Sequence, residues 1–245
     1  MKLFLFPGLG CTEDLFVLQK QALSDVVDVV VPRWVEPEKG ETLKEFALRW
    51  AEEVYKQYFA PENGAAENAC YIGGLSFGGM VAPIIGGYLV ERGVDVKGCF
   101  LLASIRGGTE IPPVSRAIWK FSCLFPNGNW DLVKLWARYQ IRVRGKRITF
   151  LAQNILNQLI DSPVKRSYYV LKMICAWRDK PEEYTFPIWH LHGSADRLLP
   201  VRYTHPDEIV KGAGHVLALL CPEEVNRFIR QRIEGRANSE FGIRN

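Results

Sequence analysis

Four glycines surround one serine in the stretch Gly73-Gly74-Leu75-Ser76-Phe77-Gly78-Gly79. Residues 68–75 read as a strand, and residues 77–92 as a helix stopped by Gly93. A turn that passes from strand to helix at a single residue forces that residue into a strained conformation. It also brings the two elements so close that side chains two positions before and after it would collide. Glycine at 74 and 78 removes the collision. The five-residue pattern alone leaves open a glycine-rich turn with an incidental serine; a strand before it and a helix after it weigh against that alternative.

The rest of the chain repeats the alternation. Apolar runs at residues 2–6, 26–31, 96–103, 188–192 and 207–210 read as further strands. Between them, Thr12 can cap a helix through Leu23, and Thr42-Leu43-Lys44-Glu45 has the capping-box form. That second helix carries Leu43, Phe46, Ala47, Trp50 and Val54 on one face, and Asn63-Gly64 marks a turn after it. A last helix starts at Pro222, with Val225, Phe228 and Ile229 on one side. This pattern predicts an α/β fold: a mostly parallel, doubly wound sheet of about six strands with helices on both faces. Function in such sheets gathers at the carboxyl ends of the strands.

One stretch breaks the pattern. Helical periodicity at residues 114–125, 130–140, 148–160 and 163–177 runs without a clear strand. Residues 106–186 hold 14 Lys+Arg against 6 Asp+Glu, where the whole chain has 31 against 27. The composition shift predicts an all-helical insertion, residues 106–185, in a core made of residues 1–105 and 186–234. Residues 235–245 are set aside as a tail, because Ile233-Glu234-Gly235-Arg236 spells a protease-cleavage tag.

Other classes are argued against by what accompanies these elements. A formal net charge of +4 is too small to imply nucleic acid, and no nucleic-acid-binding signature joins it. The apolar run Leu3 to Phe6 is shorter than a signal-peptide core, and no run approaches the ~18–20 residues that span a bilayer. The six cysteines form no C-x-x-C pair, and several sit in apolar runs as small hydrophobes do in a reducing compartment. The expectation is a cytoplasmic protein with no membrane or nucleic-acid partner.

A serine hydroxyl becomes a useful nucleophile only when a base takes its proton and the base is held in one tautomer. The four histidines are His190, His192, His205 and His215. His215, in the glycine-containing loop after the last strand, is the first candidate, and His205 competes with it. Asp196 closes the loop His192-Gly193-Ser194-Ala195-Asp196 and is the candidate acid. Asp207 and Glu208 are alternatives, and a turn-forming Asp196 paired with Arg197 also stays open. Backbone N–H groups of Phe77 and of Leu9, in Phe6-Pro7-Gly8-Leu9-Gly10, are candidates for an oxyanion hole. His190 and His192 share a strand face and raise the question of a metal, but no third His or Cys follows at matching spacing. Cys11 beside the oxyanion loop reads as a packed or exposed thiol. Arg138, Arg142, Arg144, Lys146 and Arg147 read as a solvated face, with attraction of anionic substrates as the alternative. Trp119, Phe121, Phe125, Trp130, Trp136 and Trp177 are expected to form the core of the helical insertion, with some facing a cleft.

These residues in this order give a chain that resembles the α/β-hydrolase superfamily, from Lys2 to about Glu234. The resemblance implies a Ser76, Asp196, His215 triad, with Leu9 and Phe77 as oxyanion donors and the helical insertion as a cap. It implies a serine esterase acting on a small-molecule ester of small to medium acyl chain, with no metal or cofactor. A thioesterase or lyase-like enzyme for an anionic substrate, and a hydrolase-like ligand-binding receptor, are the alternatives. Two departures mark the chain: it begins at the strand before the oxyanion loop, without earlier antiparallel strands, and it carries Phe6-Pro7-Gly8 where many relatives have a His-Gly pair.

Overall fold

A computed structural model describes residues 1–61 and 68–240; the expected Asn63-Gly64 turn lies outside them. The described strands are β1 (Lys2–Phe6), β2 (Asp28–Val30), β3 (Ala69–Leu75), β4 (Asp95–Leu102), β5 (Ile188–Gly193) and β6 (Glu208–Val210). They form one sheet in the order β2-β1-β3-β4-β5-β6, and every pairing is parallel. The chain builds outward from β1 to β2, returns to β3 on the other side, and then continues outward to β6. The switch point of this doubly wound sheet therefore falls between the carboxyl ends of β1 and β3.

The helices follow the strands in chain order: α1 (Val17–Ala22), α2 (Leu43–Tyr58), α3 (Phe77–Glu91), α4 (Pro113–Ser122), α5 (Trp130–Arg144), α6 (Phe150–Asp161), α7 (Val164–Ala176), α8 (Leu217–Leu220) and α9 (Pro222–Glu240). The helix expected from Thr12 opens as a 3-10 turn, Glu13–Phe16, before α1, a common form of helix entry. Both arms of the Thr42 capping box are made: the Glu45 N–H donates to Thr42 Oγ1 at 3.2 Å, and the Thr42 N–H donates to Glu45 Oε2 at 2.8 Å. Leu43, Phe46, Ala47, Trp50 and Val54 are buried as their spacing predicts.

Two apolar cores lie on the two faces of the sheet. One holds Phe4, Phe6, Trp50, Phe77, Ile85 and their neighbours from α2, α3 and α7. The other holds Leu3, Leu5, Tyr71, Phe100 and Phe228 with α8 and α9. Strands buried on both faces are what continuous apolar runs such as Lys2–Phe6 imply.

Helices α4 to α7 fill the chain between β4 and β5. Val170, Met173 and Ile174 tie α7 into the first core. From α6, the buried Gln158 side chain accepts the Thr12 N–H at 2.9 Å, which pins that helix to the loop after β1. The aromatic residues expected inside this segment divide. Trp130 and Trp177 are buried, whereas Phe121, Phe125 and Trp136 are exposed. Periodicity shows that α4 and α5 have an apolar face, but not which way it turns.

The backbone of α9 continues to Glu240, beyond the expected end of the core at residue 234. Gly235 costs ~1 kcal/mol relative to alanine inside a helix, which lowers but does not break the hydrogen-bond ladder.

Candidate active site

Ser76 joins β3 to α3 with φ 55 and ψ −117, a conformation that few non-glycine residues adopt. The glycines around it are required by contact. A Cβ on Gly74 would overlap the carbonyl carbon of Gly78, and one on Gly78 would overlap the carbonyl oxygen of Phe6. The turn is held from both sides. Ser76 donates its N–H to the Leu102 carbonyl at 3.0 Å, and its own carbonyl accepts from the buried Ser104 Oγ at 2.7 Å. Ser104 follows β4 and escaped the sequence reading, because a serine after a strand carries no motif.

The loops after β5 and β6 are laced together. Ser194 N–H donates to the Val210 carbonyl at 3.0 Å, Ala195 N–H to the Ala213 carbonyl at 2.9 Å, and Gly212 N–H to Ser194 Oγ at 2.8 Å. This lacing brings together residues distant in sequence. His215 Nε2 lies 2.8 Å from Ser76 Oγ, and His215 Nδ1 lies 2.7 Å from Asp196 Oδ2. A carboxylate accepts only, so Nδ1 carries the proton and Nε2 presents its lone pair to the serine hydroxyl. His205, Asp207 and Glu208 are not part of this chain of bonds. Asp207 instead accepts the His190 N–H at 2.6 Å, and Glu208 pairs with Arg227 and Arg232.

Asp196 is buried, which by itself raises its pKa. Hydrogen bonds from His192 and His215, and from the backbone N–H of Leu199, outweigh burial and hold the carboxyl well below the usual range. Its Oδ1 accepts the Leu198 and Leu199 N–H groups at 2.8 and 2.9 Å. Behind it stands the pair of buried imidazoles, His190 and His192, whose shared strand face raised the question of a metal. His192 Nε2 lies 2.7 Å from the Leu199 carbonyl, so it carries a proton. His192 Nδ1 then accepts from His190 Nε2 at 3.0 Å. Burial, with smaller contributions from His192, Arg106 and His205, pushes His190 down to about 3. His192 is engaged at both ring nitrogens, whereas the buried His190 Nδ1 has no hydrogen-bond partner. No group of three or more His, Cys, Asp or Glu side chains suited to a metal occurs among the described residues.

Ser76 and His215 open on a cavity of about 760 Å³, walled by the loop after β1 and by α4 to α7. Its walls are apolar for the most part, with Trp119, Leu132, Val133, Ile155, Leu159 and Leu171 among them. Gly8 and Leu9 lie on the same wall as Ser76, while Gly10 takes φ +78 and packs against Trp130 and Leu159. The Phe77 N–H sits at the first position of α3, directly after Ser76, and the Phe77 ring stacks on Trp34 within the core. Cys11 also borders the cavity, and burial pushes its thiol up to about 12, so it is protonated at neutral pH. Arg138, Arg142, Arg144 and Arg147 are exposed and lie outside the cavity lining; Arg197 is exposed and makes no ion pair with Asp196.

No known family model and no curated protein matches this sequence. Solved structures do match its fold. The chain is similar to a malate-bound thermophilic esterase from Thermogutta terrifontis (TM-score 0.66, 16% identity, covering 96% of this chain and 90% of that one). It is similar to the carboxylesterase CesB from Bacillus subtilis (TM-score 0.58, 17% identity, 96% and 84% covered). It is also similar to the NocB thioesterase domain in covalent complex with a fluorophosphonate nocardicin G analogue (TM-score 0.56, 19% identity, 95% and 94% covered). The chain has the α/β-hydrolase fold.

Proposed function

We propose that this protein is a serine hydrolase that cleaves carboxylic esters through an acyl-enzyme. The observation that carries the reading is the bonded series Ser76, His215, Asp196 beneath an apolar cavity. Ser76 Oγ attacks the ester carbonyl while His215 Nε2 takes its proton. Asp196 holds His215 in the required tautomer and stabilises the imidazolium. The N–H groups of Leu9 and Phe77 receive the oxyanion, and His215 returns the proton to the departing alcohol. Water then repeats the sequence on the acyl-enzyme and releases the acid.

In this reading α4 to α7 form a cap, and the acyl chain lies among its apolar walls. The size of the cavity suits small to medium acyl chains. The cap's exposed arginines lie outside the lining, so an uncharged acyl group fits better than an anionic one. The test is turnover of p-nitrophenyl esters of increasing chain length by the wild type and by Ser76→Ala. The reading expects an optimum at medium length and loss of turnover in the variant; turnover that survives Ser76→Ala would overturn it.

A further inference from the structure

Helices α4 and α5 each leave an apolar stripe open to solvent. On α4, Val114, Ile118 and Phe121 share one face, and all three are more than 60% exposed. On α5, Leu132, Leu135, Trp136, Tyr139 and Val143 recur at the spacing of one face, each more than half exposed. Buried Trp130 and Ala137 lie on the opposite side of α5. The two stripes meet at the cavity: Ile118, Leu132 and Trp136 are at once exposed and part of its wall. Isolated apolar side chains on a surface are ordinary, but a contiguous face on two helices marks a docking surface.

Charge says what docks there. Arg138 and Arg142 are exposed and follow one another at a four-residue interval on the Leu135 flank of the α5 stripe. They make no ion pair with another described residue, and Asp131 is the one acidic residue of α5. Leucine, tryptophan and tyrosine on one face with arginine along one border is the pattern of a helix lying in a bilayer interface. The cationic stems can reach past the apolar stripe to headgroup phosphates. We propose that the outer face of α4 and α5 docks on an anionic lipid bilayer, with the mouth of the cavity turned toward the lipid. This is surface association: no described helix is long and apolar enough to cross a membrane. Docking stands on the surface alone, whereas uptake of acyl substrates from the bilayer rests on the esterase reading.

The test is co-sedimentation with vesicles of phosphatidylglycerol and phosphatidylcholine, or of phosphatidylcholine alone. Wild type is expected to bind the anionic vesicles more tightly, and less so at high salt. Leu135→Ser with Tyr139→Ser, both outside the cavity lining, should weaken binding by about tenfold. Arg138→Glu with Arg142→Glu should abolish the preference for anionic lipid. Hydrolysis of a soluble short-chain ester should be unchanged in both variants. No sedimentation of wild type with either vesicle overturns the proposal. So does a dimer that the apolar substitutions dissociate, which would assign the face to a second copy of the chain. Vesicle binding without ester turnover would overturn the esterase reading and leave the docking face standing.

Discussion

His192 Nε2 lies 3.3 Å from Asp196 Oδ2, the same oxygen that meets His215 Nδ1 at 2.7 Å. The one Nε2 proton of His192 is shared between the Leu199 carbonyl at 2.7 Å and this oxygen, and the share that reaches Asp196 makes it a weaker acceptor for the His215 proton and disfavours the imidazolium. Removing the donor should therefore move the acidic limb of the kcat/KM profile to higher pH. His192→Phe is expected to show that shift, and His192→Gln, which keeps a donor, is expected to show less of it. Equal losses of kcat in both variants with no movement of the limb would mean that His192 only fills space.

His190 gives a separate pH effect, on stability. Its folded pKa is depressed to about 3 by burial, below the ~6.5 of an exposed imidazole. Below pH ~6.5 the unfolded chain binds a proton that the folded chain refuses, so stability falls with pH until the folded value is reached. Between pH 7 and 4.5 this amounts to about 2–3 kcal/mol. His190→Gln removes the titration and should flatten the fall in Tm over that interval, as thermal melts at several pH values would show. A fall as steep as that of the wild type would assign the acid sensitivity elsewhere.

Gly78 is the position where the elbow tolerates least. A Cβ there overlaps the Phe6 carbonyl oxygen, a backbone atom of the interior strand β1, which is paired on both sides. Gly78→Ala should cost at least ~3 kcal/mol in denaturant unfolding, the upper range for overpacking. Gly93→Ala provides a contrast, because a Cβ there meets nothing within 4 Å and only the positive φ is strained.

The positions of Ser76, His215 and Asp196 were legible because each falls in a short-range pattern at a strand end. Gly74 and Gly78 announce close backbones, and Asp196 and His215 sit in loops that follow β5 and β6. What joins them was not legible. The Ser194–Gly212 bond and the Ser104 support of Ser76 link residues 18 and 28 positions apart, and nothing in the local sequence of either serine names its partner. His190 and His192 were visible as a pair on one strand face, yet their partner Leu199 is a backbone carbonyl, which carries no residue-type signal. For α4 and α5, amphipathicity was plain. Its outward direction depends on α7 occupying the inner side, where Val170 and Ile174 fill the core.

The cavity should set acyl preference. Ile155 of α6 lies on its wall without touching the Ser76 to Asp196 series. Ile155→Trp fills space that a longer acyl chain would take. The ratio of kcat/KM for octanoate over acetate p-nitrophenyl esters should fall by at least about tenfold, because a few lost methylene contacts are worth that much. An unchanged ratio would place the acyl chain elsewhere.

The claim on which the rest depends is that Ser76 is the nucleophile. A fluorophosphonate probe followed by peptide mass spectrometry tests it directly. A single adduct on the peptide containing Ser76, abolished by Ser76→Ala and strongly slowed by His215→Ala, is the predicted result. An unlabelled protein, or an adduct on any other serine, would contradict it.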